Sequence, residues 1–94
     1  MLIIAQHNIS DPQKFWGAAK ELTKSLPDNL KLHSVYPSSD GRLGTCIWEA
    51  DTTREVQEFL DKNAGQYAKN LCYELNVEQS VGLPNIPIAE AHVM

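Results

Sequence analysis

Residues 31–50 read KLHSVYPSSDGRLGTCIWEA, and this stretch decides the fold. Lys31–Tyr36 and Thr45–Ala50 have the composition of β-strands, and the dipeptide Asp-Gly at 40–41 is the strongest hairpin signal in the chain. If these two residues form a two-residue turn, position 33 lies opposite position 48, and position 35 lies opposite position 46. The side chains that would then share one face of the sheet are His33, Val35, Cys46 and Trp48.

The chain on each side of this hairpin pairs a strand with a helix. A strand and a helix precede the hairpin, and a helix and a strand follow it, at Leu2–Asn8, Pro12–Ser25, Thr53–Asn63 and Leu71–Val77. The resulting order, βαββαβ, predicts an α+β fold of the ferredoxin-like kind, the split βαβ, over residues 1–78. We expect a four-stranded antiparallel sheet with both helices on one face.

The composition is typical of a single globular domain. Of the 94 residues, 43% are hydrophobic and 21% are charged, which is enough for one core and too apolar for a disordered segment. The net charge of −4, with acidic and basic residues interspersed, argues against a nucleic-acid partner. No stretch is apolar for long enough to span a bilayer or to form a signal segment, so we expect no membrane partner and a cytoplasmic location.

The second face of such a sheet predicts a partner. Two helices cover one face only, so the first strand presents either Leu2 and Ile4 or Ile3 and Ala5 to water. Each large apolar side chain left exposed forgoes roughly 1.5–3 kcal/mol of burial. A second copy of the chain is the simplest cover, and we therefore expect a homodimer.

In element order and length, residues 1–78 resemble the dimeric α+β barrel superfamily, in which two such sheets pack face to face. Residues 79–94 contain Pro84 and Pro87 among branched apolar residues, which argues against a helix interior or a central strand. We interpret residues 79–94 as an extended C-terminal arm that packs on the partner subunit.

A narrower resemblance begins at Tyr36. The turn that follows it leads into CIWEA at positions 46–50, and the second helix closes on NAG at positions 63–65. This pattern resembles the small nickel-binding-type proteins of that superfamily, most of which have no assigned activity. The resemblance implies nickel or another divalent metal as an alternative cofactor, although the histidines that flank the Ala-Gly element in such proteins have no counterpart here.

Two histidines, His7 and His33, are the candidate catalytic residues, and they would also be the ligands of a metal. We take the third strand to lie between the first and second and to run in the same direction as the first. His7, His33 and Glu49 would then meet at one end of the sheet, with Glu49 turned away from His33 by the hairpin register. Two imidazoles and a carboxylate suit proton transfer or a divalent metal, whereas two half-exposed strand histidines without a function are the alternative.

Three aromatic residues and one carboxylate are the candidate ligand contacts: Trp16, Tyr36, Trp48 and Glu49. The two tryptophans could form an aromatic wall for a small molecule, and packing in the core or the interface is the alternative. Cys46 and Cys72 lack the CxxC spacing of a redox or zinc site and are expected to be free buried thiols.

Three functions follow from these residues. The first is a small homodimeric protein that binds a small organic ligand in the cleft between sheet and helices, without a cofactor. The second, implied by the superfamily resemblance, is a cofactor-independent monooxygenase or isomerase, which needs a pocket of roughly several hundred Å³. The third is a nickel-like divalent-metal protein that uses His7 and His33. No motif decides whether the chain is an enzyme.

Overall fold

The computed structural model describes residues 1–84, and the six elements occur in the predicted order. They are β1 (Leu2–Ile9), α1 (Pro12–Leu22), β2 (Lys31–Pro37), β3 (Leu43–Glu49), α2 (Thr53–Ala64) and β4 (Ala68–Glu74). The strands form one sheet in the order β2-β3-β1-β4, and all neighbouring strands are antiparallel. The predicted α+β fold, a ferredoxin-like split βαβ, is confirmed. Within the described part of the chain, no helix is long and apolar enough to cross a membrane.

Each helix begins at a capping side chain. Asp11 caps α1, where its carboxylate accepts a hydrogen bond from the backbone N–H of Lys14 at 3.2 Å and Pro12 occupies the first helical position. Thr52 caps α2, where its hydroxyl oxygen accepts from the backbone N–H of Glu55 at 3.2 Å. The polar residues before each apolar stripe therefore set where the helices begin.

The main core lies between the sheet and α2. Ile3, Ala5 and Trp48 on the sheet belong to one buried cluster with Val56 and Leu60 of α2. The helix-covered face of β1 is therefore the one that carries Ile3 and Ala5, which settles the alternative that the sequence left open. In contrast to α2, which buries three residues, α1 buries only one. The weaker burial makes α1 the more loosely held helix.

The other face of the sheet is partly covered by the same chain. Leu2, Ile4 and Ile47 are buried on this face, beneath Leu75, Val77 and Leu83. The segment after β4 thus turns back over the sheet instead of continuing the strand to Val77 as predicted. Leu83 of the predicted arm contacts its own sheet. Residues 85–94 lie outside the described residues, and contact of the arm with a partner stays a prediction.

The direction of β1 relative to β3 corrects one expectation. The two strands are antiparallel, with His7 near the end of β1 opposite Gly44 near the start of β3. A helix crossover makes β1 and β2 run in the same direction, and the hairpin makes β3 run opposite to β2. Strand β3 therefore runs opposite to β1 as well, and His7 and His33 lie toward opposite ends of the sheet.

The hairpin register holds only in part, because β2 contains a bulge. Val35 lies opposite Cys46 as predicted, but Trp48 lies opposite Leu32 and not opposite His33. The register shifts between Leu32 and Ser34, so one extra residue is inserted at His33. Such an insertion changes the face to which the neighbouring side chains point, and strict alternation along the sequence cannot show it.

Candidate functional site

The polar centre of the sheet–helix interface is the imidazole of His7, which is 2% exposed. Its Nδ1 lies 2.7 Å from Oδ1 of Asn70 on β4, and its Nε2 lies 3.2 Å from Sγ of Cys46 on β3. The ring of Phe15 on α1 lies 5.0 Å from the imidazole, centroid to centroid. Because β1 lies between β3 and β4, the sheet brings together side chains that are distant in sequence.

Helix α2 holds Asn70 in one orientation. The Nδ2 group of Asn70 donates to Oδ1 of Asp61 at 3.2 Å, and its backbone carbonyl accepts from Nε2 of Gln57 at 2.7 Å. The same Gln57 nitrogen also donates to the Asp61 carboxylate, and Oε1 of Gln57 accepts from the backbone N–H of Cys72 at 3.0 Å. These bonds join α2 to β4, and they leave the side-chain oxygen of Asn70 facing His7.

This orientation selects one imidazole tautomer. Since Asn70 presents its oxygen, Nδ1 of His7 carries the proton and donates it to that oxygen. Nε2 is then an acceptor, and the thiol of Cys46 donates its S–H to it. The result is a chain of three neutral groups in a fixed order: thiol, imidazole and amide.

Burial keeps the thiol and the imidazole neutral. Burial lowers the pKa of His7 below its usual 6.5, and the hydrogen bond to Asn70 opposes this shift without cancelling it. Burial also raises the pKa of Cys46 to about 12, and the neighbouring Cys72 thiol adds to the shift. At neutral pH the pair is a thiol beside a neutral imidazole and not an ion pair.

A nonpolar cleft opens between α1 and the sheet and reaches this pair. Its free volume is about 40 Å³, and His7, Cys46 and Trp48 are among the residues that line it. Most of the remaining wall is aliphatic or aromatic, including Phe15, Ala19, Leu22, Leu32, Val35 and Phe59. The accessible wall of the cleft is thus nonpolar, and the Cys46–His7 pair lies directly behind it.

Trp48 is both a core residue and a wall of the cleft. It is 3% exposed and packs edge-to-face on Phe59, with ring centroids 6.0 Å apart. Its indole Nε1 is buried and has no hydrogen-bond partner within residues 1–84. An unsatisfied buried donor of this kind costs roughly 1–3 kcal/mol.

Trp16 lines the same cleft and ties α1 to the hairpin. Its Nε1 donates to the backbone carbonyl of Gly41 at 2.8 Å. A Cβ atom at Gly44 would lie 3.0 Å from Cη2 of Trp16 and 3.4 Å from Cδ2 of His7. The absence of a side chain at Gly44 therefore lets both rings approach β3. Of the predicted site residues, the structure brings His7, Trp16 and Trp48 together.

The other predicted site residues lie elsewhere. Nε2 of His33 lies 2.9 Å from Oε1 of Glu49, so the expectation that Glu49 points away from His33 is wrong, and the bulge is the reason. Along β3, Glu49 is roughly 17 Å from Gly44, the residue paired with His7. Tyr36 is 52% exposed on the face opposite the helices. His7, His33 and Glu49 thus do not form the single cluster that was expected.

Residues 1–84 contain no group of three or more His, Cys, Asp or Glu side chains placed to hold a metal ion. His7 and His33, the two candidate ligands, lie toward opposite ends of the sheet. The remaining histidine, His92, lies outside the described residues.

No family model matches the chain, and neither a curated protein nor a solved structure matches it. The antiparallel sheet with two helices is compatible with a ferredoxin-like fold.

Sequence reasoning missed two members of the network. Cys46 is the free buried thiol that the sequence predicts, but its contact with His7 has no signal in the sequence. Asn70 fell just before the predicted fourth strand, which the structure begins at Ala68. The alternation of Ala68, Asn70 and Cys72 could have shown that Asn70 shares a strand face with Cys72, but not that this face lies beside His7.

Proposed function

We propose that this protein is a homodimer that binds a small, nonpolar organic molecule in the cleft between α1 and the sheet. The observation that carries the proposal is the cleft itself, whose nonpolar walls meet the ordered network of Cys46, His7 and Asn70. Concave nonpolar sites with a few converging polar groups are the usual form of small-molecule sites in proteins.

The volume of the cleft restricts the ligand. Its 40 Å³ is well below the roughly 300–1,000 Å³ of sites for drug-sized ligands, so it favours a molecule of a few heavy atoms. A larger ligand must displace α1, of which only Phe15 is buried. The volume does not favour the polycyclic or quinol substrate that the alternative monooxygenase or isomerase function requires.

The polar groups of the cleft favour a ligand with an oxygen acceptor. The indole N–H of Trp48 lacks a partner among the described residues, and a carbonyl or ether oxygen would satisfy it. The nonpolar remainder of the wall disfavours a charged ligand, because a charge would lose its hydration without a counter-charge.

Titration by nuclear magnetic resonance with 2-butanone and cyclopentanone tests this proposal. We expect saturable shifts of the Trp48 indole and of the backbone amides at His7 and Cys46. In the variant Ala19→Phe the new ring fills the cleft and should weaken binding about tenfold or more, about 1.4 kcal/mol. The matched control is Ala18→Phe, since Ala18 is equally half-buried on α1 but does not line the cleft. Shifts that do not saturate, or that survive Ala19→Phe, would contradict the proposal.

The part of the sheet that residues 1–84 leave uncovered supports the homodimer. Among these residues, the large side chains exposed there are Tyr36, Leu43, Leu71 and Tyr73. One row across the sheet, read through the strand register, is Tyr36, Thr45, Gln6 and Leu71, and it carries no charge. A second copy could therefore approach about a twofold axis without opposing like charges at this row.

Sedimentation at micromolar concentration tests the dimer. We expect the wild-type chain to be dimeric and Leu71→Lys to be monomeric, because the substitution places a charge in the proposed interface. Gln13→Lys makes the same change in charge on the exposed face of α1 and should stay dimeric. A monomeric wild-type chain would overturn this part of the proposal and leave the cleft unaffected.

A further inference from the structure

We propose that Cys46 is a nucleophile that adds to the conjugated C=C bond of a small nonpolar enal or enone held in the cleft. His7 acts as the base in this step, and Asn70 is a positioning residue. The inference rests on the proposed function, because the electrophile must first enter the cleft.

The geometry of the three side chains carries the proposal. Sγ of Cys46 and Nε2 of His7 are within hydrogen-bonding distance at 3.2 Å, and both residues line the cleft. Asn70 holds the opposite nitrogen of the ring at 2.7 Å and is itself fixed through Asp61. A thiol, a base that it touches and a third group that orients the base are the parts of an activated nucleophile.

The step balances without a further reactant. As the sulfur–carbon bond forms at the β-carbon, the S–H proton passes to Nε2 of His7 and the π electrons move toward the carbonyl oxygen. The imidazolium is stabilised by its Nδ1–H hydrogen bond to Asn70. Nε2 then returns the proton to the α-carbon, which yields a thioether and restores the neutral imidazole. Nothing is oxidised or reduced.

Addition suits this cleft better than acyl transfer does. Acyl transfer requires a leaving group and then water, whereas addition requires neither, and the cleft is small and nonpolar. During addition the negative charge develops on the ligand oxygen, away from the sulfur. Trp48 lies two residues from Cys46 along the same strand face, and its indole N–H, which has no partner within residues 1–84, would donate to that oxygen.

Cys72 supplies an internal control. Burial raises its pKa to about 11, with the Asp61 carboxylate adding to the shift, so both cysteines carry little thiolate at neutral pH. Cys72 is less buried than Cys46 but has no imidazole hydrogen bond within residues 1–84. The titratable groups near the Cys46–His7 pair are Cys72 on β4 and Asp61 on α2, which reaches the pair through Asn70.

The experiment treats the full, freshly reduced chain with methyl vinyl ketone and maps the adducts by mass spectrometry. We expect Cys46 to react about tenfold faster than Cys72 or more, despite its deeper burial. Between pH 7 and 8.5 the Cys46 rate should be nearly constant, because its base is already neutral. The Cys72 rate should rise about tenfold per pH unit, as expected for a free thiolate. A faster Cys72, or two parallel pH profiles, overturns the proposal.

Variants separate the role of the base from simple packing. His7→Phe should abolish the advantage of Cys46 and leave the rate at Cys72 unchanged. If that variant does not fold, Asn70→Ala should slow Cys46 and give it the pH slope of Cys72, which a purely structural role of Asn70 would not do. Unchanged rates and profiles in the folded variants would overturn the assignment of the base.

The cleft variants link reactivity to the proposed function. Ala19→Phe should slow the reaction at Cys46, and Ala18→Phe should not. An adduct that forms equally fast in Ala19→Phe overturns the inference, because the reagent then reaches the sulfur of Cys46 through local unfolding and not through the cleft. Saturable binding of 2-butanone without preferential reaction at Cys46 leaves the proposed function intact and rejects the inference alone.

Discussion

The two ends of the sheet hold their histidines in opposite ways. At the end of β1, His7 is 2% exposed and bonded to two neutral groups, the Asn70 amide and the Cys46 thiol. At the other end, the side chains of His33 and Glu49 form a bonded pair that is 13% and 26% exposed. The first histidine is part of the core, and the second is hydrogen-bonded to a carboxylate at a bulge, where both side chains are partly exposed.

This difference shows that partners and burial together decide what a histidine can do. A buried imidazole with neutral partners keeps a free acceptor nitrogen, which can take a proton from Cys46. His33, in contrast, has the Glu49 carboxylate as its partner, at 2.9 Å from Nε2. Of these two histidines, His7 lines the nonpolar cleft and His33 does not. The chemistry that we propose therefore involves His7 and not His33.

The largest expected effect is on stability at the buried end. His7→Ala removes two hydrogen bonds and leaves a space beside Phe15, and it should lower the free energy of unfolding by about 2–5 kcal/mol. His33→Ala should lower it by about 1 kcal/mol or less, as for a partly exposed ion pair. Urea unfolding of both variants measures the contrast. Equal losses would remove the distinction between the two ends.

A smaller loss is expected when a side chain is added where two rings approach the strand. In Gly44→Ala the new methyl group would meet the Trp16 ring at 3.0 Å, and we expect a loss of about 1–3 kcal/mol. Gly17→Ala is the matched control, since its methyl group meets nothing within 4 Å on an exposed helical position. That variant should gain about 0.5–1 kcal/mol. A Gly44→Ala chain as stable as the wild type would show that Trp16 moves aside freely.

Local sequence patterns predict some features of the two ends of the sheet and miss others. Element order and the position of Val35 opposite Cys46 follow from local patterns, which is why they are confirmed. The bulge at His33 is an inserted residue with no signal in the alternation of the strand. The contact between His7 and Asn70 joins β1 to the last strand and depends on a long-range register. Local patterns do not contain that register, so the network could not be found from them.

The pH dependence of stability separates the two ends further. Burial lowers the pKa of His7 in the folded chain, so as pH falls below about 6.5 the unfolded chain binds a proton that the folded chain does not. Stability is therefore fully present above that pH and is lost as pH falls toward the lowered pKa, at no more than about 1.4 kcal/mol per pH unit. Urea unfolding between pH 5 and 8 should show this loss in the wild type and a flatter curve in His7→Phe. Parallel curves for the two chains would contradict a buried neutral His7.

The smallest effect is expected from the charge of the His33 partner. Glu49→Gln keeps an oxygen acceptor near Nε2 of His33 and removes only the ionic part of the interaction. We expect a loss below about 1 kcal/mol, and one that shrinks further when salt screens the pair. Urea unfolding at low and high ionic strength measures both quantities. Because the His7 network contains no ion pair, the loss in His7→Ala should not respond to salt, and a salt-dependent loss there would show that the imidazole is charged. The response to salt, more than the size of either loss, therefore decides whether the two histidines differ in charge state.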